Sequence, residues 1–220
     1  MIPPETRLGA STQRPPSDIL ALMPLPAGDR ELVQIMDAAF ADAAHRAGPR
    51  LVCHPGCTQC CHGAFAINEL DAQRIASGME ILRGTNPALA AEIQRRARIW
   101  LYEHGSTFPG DPRTGHLGDS DEERTRFDDY ANQAPCPALD PVSGHCEIYQ
   151  YRPMTCRIFG PPVRVESDTS ALGHCELCFE GATTAEVAAC EMQIPHDFEQ
   201  TLLNEIADTR ETIVAFALLR

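Results

Sequence analysis

The sequence predicts a mostly α fold with an irregular, cysteine-rich centre and helices flanking it on both sides. Three observations carry this. Apolar residues recur at helical spacing near both ends and again between residues 68 and 104. Cysteines are gathered in two regions of the middle, and Gly and Pro punctuate the chain between the periodic stretches. A length of 220 residues fits one domain with extensions.

Residues 1–17 are rich in Pro, Ser, Thr and Arg and read as a flexible tail, leaving 18–220 as a single domain. From Asp29, the positions Leu32, Ile35, Met36, Ala39, Phe40 and Ala43 mark a helix that Gly48-Pro49 ends. Asn68 is placed to cap a helix carrying Leu70, Ile75, Met79 and Leu82. Asn86-Pro87 starts another, which runs through Ile93, Ala97 and Trp100 to about His104. Residues 105–135 read as an acidic surface insert with few core residues. Within it, Ser120 and Glu123 form a capping box for a short helix from Asp121 to Tyr130. A cysteine-rich core spans about 50–180, with a turn at 140–144, a helical scrap around 147–151 and extended chain at 163–165. Phe198, Leu202, Leu203, Ile206, Ile213, Phe216 and Ala217 trace the stripe of one C-terminal helix over 196–219.

Charge excludes some partners. Eighteen Lys+Arg against 31 Asp+Glu leave a formal net charge of −13, which repels phosphate backbones, so no nucleic-acid partner is expected. No stretch approaches the ~20 apolar residues of a membrane span. The N-terminal residues carry no apolar secretory run, so the expected location is cytoplasmic, where thiols stay reduced. Ten thiols there call for metal.

Cys53, Cys57, Cys60 and Cys61 give C-x3-C-x2-C-C. Cys57 and Cys60 have the spacing that closes on one zinc ion at ~2.3 Å, or on one iron–sulfur cluster. Pro55-Gly56 turns the chain and aims Cys53 back at the same point. Cys60 and Cys61 are neighbours whose side chains should diverge, so one bridges to a second metal or stays free. Cys136, Cys146 and Cys156 follow ten residues apart. Cys175 and Cys178 form a C-x-x-C that completes the ligand set or acts as a redox dithiol. Cys190, beside Val187-Ala188-Ala189, reads as a buried thiol. His54, His62, His145 and His174 each adjoin a cysteine, and are expected to hydrogen-bond nearby rather than to ligate. Arg152 and Arg157, flanking Cys156, are expected to donate to sulfurs or offset thiolate charge.

The first cluster is followed by Cys136-Pro137-x-Leu139 and by Gly144-x-Cys146-x-Ile148-Tyr149-x-x-Arg152-Pro153-x-x-Cys156-Arg157. Over about residues 50–160 this resembles the YkgJ-type cysteine-cluster family. The resemblance implies a zinc- or iron-chelating domain, with some members labelled iron–sulfur oxidoreductases. It also implies ligation by Cys53, Cys57, Cys60, Cys61, Cys136, Cys146 and Cys156.

The expected architecture is therefore a small irregular helical domain organised around a cysteine-ligated metal centre. The expected function is that of a metal-binding protein holding an iron–sulfur cluster or Zn2+, with redox activity as one use. Iron–sulfur is favoured because the cysteines exceed one tetrahedral site. The alternatives are a zinc-stapled protein-interaction module and a metal carrier or sensor. Metal ions and a protein or electron-transfer partner are the expected partners. No phosphate loop, dinucleotide fingerprint or hydrolase motif marks a substrate site.

Overall fold

The computed structural model describes residues 24–165, 168–206 and 208–220, so the tail expected over 1–17 lies outside the described residues. In chain order the first elements are α1 (Asp29–Ala47), β1 (Ala66–Ile67), α2 (Glu69–Thr85), α3 (Pro87–His104), β2 (Gly110–Asp111) and β3 (His116–Leu117). Then follow α4 (Asp121–Asp128), α5 (Met154–Arg157), β4 (Val163–Val165) and β5 (Asp168–Gly173). The chain closes with α6 (Thr184–Ala188), α7 (His196–Asn204), β6 (Thr212–Ile213) and α8 (Val214–Ala217). The protein is mostly helical with small sheets.

The long helices start where side-chain acceptors are available. Asn68 accepts from Asp71 N–H at the head of α2, and Asn86 accepts from Leu89 N–H ahead of Pro87 in α3. α2 and α3 bury Ile75, Met79, Ile93 and Ala97 against Ala217 and Leu218 at the C-terminus. α1 buries Leu32, Met36 and Ala43 with Leu202 of α7 and Met154 of α5. Four short antiparallel strands form one sheet in the order β1-β6-β3-β2, pairing Ala66 with Ile213, Thr212 with His116, and Leu117 with Gly110.

Two expectations need correcting. The C-terminal segment is not one helix over 196–219: α7 ends at Asn204, and β6 then enters the sheet between β1 and β3. The apolar stripe is real, but its members serve different clusters. Leu202 and Ile206 pack with α1, Ile213 and Phe216 pack around Trp100, and Ala217 packs on α2 and α3. Pairing with β1 on one side and β3 on the other, plus a 2.6 Å hydrogen bond from Thr212 Oγ1 to Gly115 O, takes the backbone bonds that a helix would have made within itself.

Nor is 105–135 merely a surface insert. It supplies β2 and β3, and its Phe108, Tyr130 and Ala134 are buried with Trp100 and Ile213. A few aromatics suffice because each buries so much area. The Trp100–Tyr130 and Phe108–Phe216 ring pairs, 5.9 and 5.1 Å between centroids, hold the insert down. α4 keeps its capping box at Ser120 and Glu123 but stops at Asp128, short of Tyr130.

One ionic cluster lies inside. Arg74 is buried and donates to both Asp29 of α1 and Asp71 of its own helix. Both Asp71 oxygens also accept from Met154 N–H at 3.0 Å, so this carboxylate holds the N-terminus of α5. Gly78 of α2 lies directly under the Tyr151 ring, where a Cβ would collide.

Two substitutions test these contacts. Asp71→Ala leaves Met154 N–H without its acceptor and Arg74 with Asp29 as its remaining carboxylate, and should lower unfolding free energy by about 1–3 kcal/mol in urea denaturation. Gly78→Ala should be destabilising by about 1–3 kcal/mol through overpacking against Tyr151. A gain in stability, as helix propensity alone gives, would remove that ring contact from the argument.

Candidate metal centre

The first cysteine cluster is split by its own backbone. Cys57 N–H closes a turn onto His54 O at 3.0 Å, across Pro55-Gly56. Residues Gln59–Cys61 then form a 3-10 turn, with Cys61 N–H bonded to Thr58 O at 2.8 Å. Cys53 and Cys57 are left beside Cys175 and Cys178, while Cys60 and Cys61 are left beside Cys136, Cys146 and Cys156.

The outer group contains Cys53, Cys57, Cys175 and Cys178. Cys53 is exposed and Cys178 buried. Backbone bonds place the later pair: Cys175 N–H to Gly160 O at 3.2 Å, Cys178 N–H to Cys175 O at 2.9 Å, and Phe179 N–H to Arg50 O at 2.9 Å. The Cys53 thiol, pushed up to about 12 by desolvation and then by Cys178, donates to the Cys178 sulfur. Cys175 is also raised, first by desolvation and then by neighbouring thiols. Cys190 sits buried nearby, in an apolar cluster with Ala47, Cys178 and Phe179.

The inner group contains Cys60, Cys61, Cys136, Cys146 and Cys156. Cys136 N–H bonds Cys61 O at 2.8 Å, and a bridge between Leu139 and Cys146 folds the second region back on itself. Cys156 lies on α5, whose first N–H is held by Asp71. The expected divergence of Cys60 and Cys61 does not occur, because the tight 3-10 turn brings their thiols into hydrogen-bond contact. Cys61 donates, so Cys60 is pushed down to about 6 and Cys61 well up. Desolvation raises Cys136 to about 12 and also raises Cys146 and Cys156, with the other sulfurs adding to it. Cys60 apart, thiols crowded this way stay protonated unless a cation stabilises them as thiolates. Among the described residues no three cysteine sulfurs lie within 4.8 Å of one another. That spread exceeds the roughly 3.8 Å that a tetrahedral ion with ~2.3 Å bonds imposes.

Residues 52–178, more than half of the chain and including all nine cysteines of the two groups, match the CxxCxxCC family, described as a putative zinc- or iron-chelating domain. The chain belongs to this family. No match to it was found among the curated proteins or the solved structures. No helix among the described residues of this chelating domain is long and apolar enough to cross a membrane.

Of the two roles expected of Arg152 and Arg157, donating to sulfurs or offsetting thiolate charge, their hydrogen bonds here go to oxygen acceptors, and charge is the way Arg152 reaches the thiols. Arg157 is buried and donates to Asp37 Oδ1 at 2.7 Å, Gln150 O at 2.6 Å and Arg152 O at 3.2 Å, all oxygen acceptors. It fastens the loop between Cys146 and Cys156 to α1. Arg152 donates to Tyr149 O at 3.0 Å and to Asp37, and lies over the Tyr149 ring. Its charge reaches the inner thiols, helping to lower Cys60 and opposing part of the rise that desolvation causes at Cys146. His54, His62 and His174 each place Nδ1 against a backbone carbonyl. Sequence reasoning missed Asp37 and Asp71, which hold the cysteine segment from elements far away in the chain. It also missed a cleft of about 1230 Å³ that Thr155 and Met154 of α5 help to line.

Gly160 marks the tightest constraint on the outer group. Its φ is +116°, and a Cβ there would stand 2.8 Å from Cys53 Sγ. Gly160→Ala should cost about 1–3 kcal/mol in thermal unfolding, from backbone strain and displacement of Cys53. Gly84→Ala, in open space on α2, should not.

Proposed function

We propose that the chain holds two thiolate metal centres, an inner iron–sulfur cluster on the group of five and an outer zinc or iron ion on the group of four. The observation that carries the reading is the sorting of nine cysteines into two groups, each drawn from both halves of the motif. Five sulfurs exceed the need of one tetrahedral ion, and cluster thiolates, which bind separate irons, stand farther apart than those of a mononuclear site. Cys60, Cys61, Cys136, Cys146 and Cys156 would supply the inner ligands, with Arg152 offsetting thiolate charge. When bound, the cluster supplies a one-electron couple, so redox exchange with a protein partner belongs to this reading. Exposure of Cys53 favours a second role for the outer centre as an exchangeable site, the carrier alternative.

Anaerobic purification with iron, zinc and acid-labile sulfide analysis tests this. Brown protein that bleaches with dithionite is expected. Cys146→Ser and Cys156→Ser should lose the colour and sulfide, whereas Cys57→Ser and Cys175→Ser should lose only the outer ion. Colourless protein holding zinc alone would replace the redox reading with the zinc-stapled module. Complete metal removal should lower the melting temperature, because binding free energy is also folding free energy.

A further inference from the structure

Away from the cysteines, Glu69, His116 and Asp208 each bring one ligand atom within 4.8 Å of the others. They arrive from the first turn of α2, from β3 and from the segment before β6. The Glu69 and His116 side chains are only 11% and 14% exposed. His116 Nε2 stands 3.7 Å from Asp208 Oδ2, outside hydrogen-bond reach, and its Nδ1 is buried without a partner. A nearly buried imidazole thus lies beside two carboxylates without a hydrogen bond from its ring, which is costly, and a cation joining one ring nitrogen to the carboxylates would remove part of that cost. Two ligands on one first-row ion, with bonds of ~2.0–2.2 Å, stand roughly 3–3.6 Å apart, close to the 3.7 Å between His116 Nε2 and Asp208 Oδ2.

We propose that Glu69, His116 and Asp208 form a site for a divalent first-row cation, Mn2+, Fe2+ or Zn2+, separate from the thiolate centres. Mixed imidazole and carboxylate donors suit ions of that class. Each carboxylate also accepts from an arginine: Glu69 from Arg220 at 2.7 and 2.8 Å, and Asp208 from Arg210 at 2.6 and 2.9 Å. A carboxylate has lone pairs for both, and such partners orient metal-binding carboxylates. Because the two arginines already balance the two negative charges, affinity should be moderate. Glu69, alone of the three, is also part of the wall of the 1230 Å³ cleft, which sets this side of the site beside open space.

The test uses the full chain with its cysteine centres loaded, and Mn2+ as the probe because thiolates disfavour it. Titration followed by the electron paramagnetic resonance of free Mn2+ should show a single bound ion per chain. His116→Gln and Asp208→Asn should each weaken binding by at least about tenfold, as loss of a ligand requires. Gly84→Ala, in open space on α2, should leave it unchanged, and bound Mn2+ is read independently of colour and sulfide, so this site and the thiolate reading can fail separately. No binding up to millimolar Mn2+, or undiminished binding in Asp208→Asn, overturns the proposal. If His116→Gln does not fold, Asp208→Asn, in the more exposed of the three positions, decides alone.

Discussion

Burial of Asp71 joins the helical scaffold to the cysteine-bearing segment. Its carboxylate stands 1% exposed, receives Arg74 from its own helix, and spends both oxygens on the first N–H of α5. Desolvation outweighs the guanidinium and lifts this group to about 6, a measure of how unfavourable a charge is at that depth. The carboxylate is tolerated there because its partners are many and come from separate elements: Arg74 brings Asp29 and α1, while Met154 brings α5 and Cys156. Buried charges that lose one partner are far worse than buried charges that keep all of them. Asp37 and Arg157 repeat the device one turn away, fastening the loop that carries Cys146 and Cys156 to α1.

The two thiol groups therefore stand on different footings. The inner one is set among helices and backbone bridges, with Arg152 at its edge. The outer one rests on loops, with backbone bonds from Cys175 and Phe179 to Gly160 and Arg50 as its frame. Local opening is easier where backbone bonds are few and sulfur is exposed. The outer group, with Cys53 exposed, is the part of the cysteine region more open to solvent.

Much of the helical scaffold was legible because it rests on local chemistry. Asn68, Asn86-Pro87 and the Ser120–Glu123 box each announce a helix start within four residues. What was illegible depends on distant partners. The apolar stripe after His196 has helical spacing throughout, yet strands β1 and β3, supplied from far upstream, capture Thr212 and Ile213. The insert's polar composition hid Phe108 and Tyr130, whose burial depends on Trp100 and Phe216. For the candidate site, the cysteines themselves were plain in the motif, while their division into groups depends on a 3-10 turn at Gln59–Cys61 and on partners more than seventy residues away. Nothing in the local sequence of Glu69, His116 or Asp208 hints that they meet.

The outer group carries a consequence for how the protein is made. Its early pair and its late pair are separated by more than half of the chain. During synthesis, Cys53 and Cys57 leave the ribosome long before Cys175 and Cys178 exist to meet them, whereas the inner group lacks nothing once Cys156 has emerged. Closing so long a loop carries an entropic cost that only a late event can offset. The nascent chain passes through an interval in which all five inner cysteines have been made while two thiols near its start still lack their partners. In that interval, oxidants and stray metal ions can compete for them.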